Sequence, residues 1–123
     1  MKKHVVLVLS VALVLMLALT ACGGLKDVGQ LGDKFMKALS TGDHATSFSM
    51  LSADIQTEVG GEAGWADWAS IRNFDDWKFN SNTIENNEAT LLGTATLQGE
   101  EYDVTLVFDN NNDQWEIITI IFE

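Results

Sequence analysis

Proline is absent from this 123-residue chain, and cysteine occurs once, at position 22. Without proline there is no Pro-rich stalk or rigid spacer, and a single cysteine excludes an internal disulfide framework. Tyrosine also occurs once, at Tyr102, and the two histidines are His4 and His44. Basic residues are few: seven Lys and Arg face eighteen Asp and Glu, for a net charge of −11. So acidic a chain repels phosphate backbones and anionic headgroups, which excludes nucleic acid as a partner. No internal repeat, nucleophile motif, phosphate-cradling glycine loop or His-rich metal set is present, and nothing in the pattern calls for a cofactor.

What is present begins with a tripartite leader. Met1-Lys2-Lys3-His4 is basic, Val5 to Leu19 is apolar apart from Ser10, and Leu19-Thr20-Ala21-Cys22 places small residues before the cysteine. This is the layout of a secretory signal peptide, and the apolar run is short for a membrane span of about 20 residues. Leu-Thr-Ala-Cys resembles the bacterial lipobox. The resemblance implies cleavage between Ala21 and Cys22 and a diacylglycerol on the Cys22 thiol. Two acyl chains, at about 0.8 kcal/mol per buried CH₂, make a stable anchor where one would not. The expected organisation is a signal peptide over 1–21, a lipidated terminus and tether over 22–26, and one domain over 27–123. The domain then faces outside the cytoplasm, on the cell membrane or the outer membrane. Cleavage removes two lysines, leaving five basic against eighteen acidic residues, a net −13.

Apolar spacing predicts a helix from Leu25 to Ser40, carried by Leu25, Val28, Leu31, Phe35, Met36 and Leu39. Gly42 suits the position that ends it, and Asp43 suits the N-cap of a second helix. That second helical stretch, Ala45 to Val59, is expected to break at Ser52 and to bury Phe48, Leu51, Ile55 and Val59. A third, Glu62 to Ile71, puts Trp65 and Trp68 on one face. From Trp77 the period becomes two, with strands over 77–85, 89–98, 102–109 and 114–122 separated by turn-forming residues. Short connections imply an antiparallel meander. Trp77 and Phe79 are out of phase with Ile84, which predicts a bulge near Ser81. Helices followed by a meander make an α+β domain, with the helices on one face of a curved four-stranded sheet.

Phe35-Met36-Lys37-Ala38-Leu39-Ser40-Thr41-Gly42-Asp43, followed by Phe48-Ser49-Met50-Leu51-Ser52, resembles the opening of small bacterial lipoproteins of the nuclear transport factor 2-like superfamily. Asn112-Asp113-Gln114-Trp115-Glu116-Ile117 is similar to the last hairpin of that superfamily. The resemblance implies a cystatin-like α+β cone, often with a pocket at its open end and with dimers formed across the sheet. It implies no activity, because the fold hosts enzymes and binding modules alike.

Enzymes of that superfamily, such as ketosteroid isomerase and scytalone dehydratase, pair a pocket Asp with Tyr or His, and general acid–base catalysis requires such a converging pair. His44 falls in the first turn of a helix, Tyr102 at the start of a strand, and Asp67 away from the Trp65–Trp68 face, so no pair is evident. Asp109 to Asp113 alternates oxygen ligands as a calcium loop does, but Gln114 and Ile120 replace the glycine and glutamate such a loop needs. A hairpin turn is the simpler reading. Phe48, Trp65, Trp68, Trp77 and Tyr102 could line a pocket, or simply fill the core. The last strand is apolar in both phases. Simple alternation places Trp115, Ile117 and Ile121 inward, and sends Ile118, Ile120 and Phe122 outward with Leu92 and Val107 as a candidate interface. A bulge would reverse that phase. The expected function is a membrane-anchored, non-catalytic binding or protein-interaction module, its partner a second copy or another envelope protein. A carrier of a small apolar ligand is the alternative, and an isomerase or dehydratase-like enzyme the third reading.

Overall fold

The computed structural model describes residues 24–123. The leader, the cleavage site after Ala21 and Cys22 itself lie outside the described residues. Helix α1 spans Gly24–Thr41, so it begins inside the stretch expected to serve as tether. It buries Val28, Phe35, Met36 and Leu39 and exposes Asp33, Lys34 and Lys37, as helical periodicity requires. Gly42 ends it with φ +74°, a left-handed conformation that costs glycine little. Asp43 caps α2 (His44–Ser49), its side chain accepting from the Thr46 amide. Met50 to Ser52 interrupts the second helical stretch, and Ser52 caps α3 (Ala53–Glu58) by accepting from the Ile55 amide. Helix α4 follows over Gly61–Ala69.

Strands β1 (Asp76–Glu85), β2 (Glu88–Leu97), β3 (Glu100–Asn111) and β4 (Gln114–Phe122) form one antiparallel sheet in the order β1-β2-β3-β4. The last turn places Asn112 and Asp113 both at positive φ, 53° and 64°, which gives a tight hairpin its twist. This is where the alternating oxygen ligands of residues 109–113 reside. Among the described residues no group of three or more acidic, histidine or cysteine side chains is placed to hold a metal.

Two register shifts decide which side chains enter the core. The first, between Phe79 and Ser81, leaves Asn80 as an extra residue in β1. Trp77, Phe79 and Ile84 thereby share the inner face, opposite Ala95, Gly93 and Ala89. The second leaves an extra residue in β4: Val107 pairs with Thr119 but Phe108 with Ile117, so Ile118 is the bulge. The expected outward placement of Ile120 and Phe122 is therefore corrected. They oppose the buried Leu106 and Val104 and pack against the core. Ile121, expected inside, faces out beside Thr105 and is 39% exposed. Leu92 is outward as expected, at 43% exposure, and Val107 lies on that face half-buried. The outward apolar group thus shrinks to Leu92, Val107 and Ile121, set among Thr90, Thr105 and Thr119.

Helix α1 crosses the inner face over β1 and β2. Trp65, Phe35, Phe74, Phe108 and Met36 are the largest fully buried side chains and fill the space between sheet and helices. Among the described residues the core runs from Val28 to Ile117 and draws on both the helices and the sheet. Gly93 is required by packing: a Cβ there would collide with the main-chain carbonyl of Lys78 on the bulged β1. No helix among the described residues is long and apolar enough to cross a membrane.

Candidate functional site

Rings run in an almost continuous file from the helices to the far end of the sheet. Phe35 and Trp65 lie 6.0 Å apart between centroids, Trp65 and Trp68 stack at 4.8 Å, and Trp68 lies 6.1 Å from Phe122. Phe122 continues to Phe74 at 4.7 Å, and Phe74 meets Tyr102 edge-on at 6.0 Å. Trp65 is 1% exposed, and its indole N–H donates to Ser47 Oγ at 2.8 Å. Ser47 is itself fully buried, and its hydroxyl lies within reach of the Asp43 and His44 carbonyls, at 3.2 and 3.3 Å. That hydroxyl holds the core together and faces no solvent.

Trp68 differs from Trp65 in being half-open. Arg72 lies over its ring, the guanidinium carbon 3.9 Å from the centroid, and donates to the Trp68 carbonyl at 2.7 Å. Partial burial draws the Arg72 pKa below its ordinary value. Between α3, α4 and β4 lies an open-sided cleft of about 560 Å³. Ile55, Val59, Trp65, Trp68, Ile118 and Ile120 supply its apolar lining and Glu58 a charge at its rim.

The five aromatic residues expected at a pocket are thus dispersed. Trp65 and Trp68 reach the cleft. Phe48 packs against the core, and its carbonyl accepts from Gln56 Nε2 at 3.0 Å. Trp77 lies over α1 and donates to Asp33 Oδ1 at 3.2 Å. Tyr102 donates to Glu100 at 2.8 Å, and this carboxylate holds the phenol pKa above its ordinary value. Ile118 and Ile120 were not legible as cleft residues, because their position depends on the β4 bulge. The one available signal was a last strand apolar in both phases.

Other surface depressions are polar or mixed in lining. One, about 550 Å³, lies around the β1–β2 turn and is lined by Thr83, Glu85, Asn86 and Asp109 among others. Another, about 610 Å³, lies between α1 and the β3–β4 turn, near Lys34 and Trp115.

The chain matches no protein-family profile and no curated protein sequence. Its fold matches a solved structure from Campylobacter jejuni, provisionally named a nuclear transport factor 2-like transpeptidase. The two share 14% sequence identity with a TM-score of 0.59, over 74% of this chain and 96% of the other. The domain therefore has the nuclear transport factor 2-like α+β fold. At this identity the likeness is one of fold and carries no activity with it.

Proposed function

We propose that the chain is a membrane-anchored cell-envelope lipoprotein whose mature domain is a non-catalytic module that binds another protein at the cleft beside β4. The observation that carries this reading is the contrast between a filled interior and an open apolar cleft at the sheet edge. A partly exposed tryptophan in an apolar cleft, here Trp68, is a residue type that anchors protein interfaces. The Leu-Thr-Ala-Cys motif supports the anchor, and a helix beginning at Gly24 would hold the domain close to the bilayer.

A carrier of a small apolar ligand is the second reading, favoured by a cleft volume in the range of ligand pockets. The filled interior counts against it, since carriers enclose most of the ligand surface. The transpeptidase name of the Campylobacter structure raises covalent catalysis, which needs a nucleophile beside a base. Ser47 is buried and bonded to the Trp65 indole, which favours a structural role for it.

The reading is tested by placing a photo-crosslinking residue at Glu58, on the cleft, and separately at Lys37, on the exposed face of α1, in cells carrying the full-length chain. A protein adduct from position 58 alone is expected. No adduct at 58, or equal adducts at both positions, contradicts the interaction module.

A further inference from the structure

The cleft runs beside an incomplete sheet edge. In the first half of β4 the edge is closed by the chain itself. Ile117 donates to the Met50 carbonyl at 2.9 Å and accepts from the Ser52 amide at 2.8 Å, so Leu51 lies parallel to β4 as a one-residue strand. At Ser52 the chain turns away into α3, and this cover ends. Beyond the Ile118 bulge the backbone directions follow from the far end of β4. Glu123 and Asp103 exchange both main-chain bonds, at 2.9 and 2.8 Å. A period of two then aims the N–H and C=O groups of Ile121 and Thr119 at β3, and those of Phe122 and Ile120 away from the sheet. Among the described residues no backbone group pairs with those of Ile120 and Phe122 on that side.

Exposed edges are ordinarily blunted by lysine, proline or charge. The opposite edge, β1, carries Lys78 and mostly exposed polar residues. Residues Ile117 to Phe122 have neither charge nor proline, and form an uncharged run of high β-propensity on an open edge. Charge near it is mostly of one sign. Helices α3 and α4 and strand β4, which wall the cleft, contain Asp54, Glu58, Glu62, Asp67 and Glu116 and no lysine or arginine, and the cation beside it, Arg72, is engaged with the Trp68 ring and carbonyl.

The geometry points to β-strand addition: an extended segment of another protein, with basic residues flanking alternate apolar ones, pairs with Ile120 and Phe122 and seats an apolar side chain between Trp68, Val59 and Ile118. Main-chain bonds would supply affinity, while the cleft and the acidic walls would supply specificity. Charge complementarity selects this occupant over a second copy, because the acidic walls of two copies would repel. The inference rests on the binding-module reading and names the class of partner.

The test uses residues 24–123, which hold every core residue among those described, labelled for amide hydrogen exchange by nuclear magnetic resonance. The probe is a short peptide alternating lysine with valine and phenylalanine. In the free protein the Ile120 and Phe122 amides should exchange far faster than those of Thr119 and Ile121. Saturating probe should slow the first pair by roughly tenfold or more, as pairing with a strand protects amides. N-methylation of alternate probe residues should abolish binding, and Glu58→Lys should weaken it several-fold without changing the melting temperature. Equal binding of the N-methylated probe would overturn strand addition. So would movement of the Trp65 and Trp68 indole signals without protection of Ile120 and Phe122. That second result leaves the cleft as a binding site and removes only the strand. If neither the indoles nor the amides respond, both readings fall. Concentration-dependent protection without probe would identify a second copy as the occupant and overturn the basic partner.

Discussion

Trp65 and Ser47 form the only side-chain pair in the core in which two polar groups satisfy each other among the described residues, and no buried side-chain polar atom there lacks a partner. Ser47→Ala leaves the indole N–H without an acceptor, a loss worth about 1–3 kcal/mol for a buried donor. Trp65→Phe removes the donor but keeps most of the ring, and combining the two should cost less than the sum of the single changes. Urea unfolding of the four proteins in this cycle measures the coupling. Strict additivity would mean that the bond contributes nothing. Asp43 offers a second test at the same scale. The Thr46 hydroxyl, then the Thr46 amide, hold its carboxyl below the ordinary value of 3.8. Because the folded value is the depressed one, the stabilisation is complete at neutral pH and fades as pH falls through the folded pKa. Asp43→Asn should keep the cap but flatten the acid limb of the stability profile. An unchanged acid limb in thermal melts would contradict this role.

The elements were legible because their signals are local. Gly42, Asp43 and Ser52 announce helix ends through conformational freedom and capping chemistry, and the structure uses all three for that purpose. The β1 bulge was also legible, since Trp77 and Phe79 conflict in phase with Ile84 and an extra residue reconciles them. The β4 bulge was not. A strand of Ile, Ile, Thr, Ile, Ile and Phe is apolar in either phase, so alternation does not report which set faces in. Only the pairing of Phe108 with Ile117 and of Val107 with Thr119 decides it. The cleft was hidden for the same reason, because its lining residues Ile118 and Ile120 lie on that strand. This placement predicts opposite outcomes for adjacent residues. Ile120→Lys puts a charge among the partly buried side chains packed on the core and should lower the melting temperature markedly, whereas Ile121→Lys should melt close to the parent. Circular dichroism of both variants is the check. Tolerance at 120 with loss of folding at 121 would restore the simple alternation.

At the scale of the whole molecule, the described residues form an acidic domain with an open apolar cleft beside β4, and the proposed address rests on residues before Gly24. A diacylated cysteine directly before α1 would fix the domain at the bilayer, where a module with an open cleft meets other envelope proteins at high local concentration. On the proposed cleavage the −13 charge would oppose contact with anionic headgroups, so the anchor and not the surface would hold the domain there. Without the anchor the same domain would be an acidic soluble protein, and its cleft would meet a different set of partners. The most direct measurement is therefore the intact mass of the protein extracted from its host membranes, compared with a Cys22→Ser variant. The account predicts a chain beginning at residue 22, heavier than its sequence by a diacylglyceryl group, and no such species from the variant. A mass corresponding to the unprocessed chain, or to a chain cut elsewhere and carrying no lipid, would contradict it.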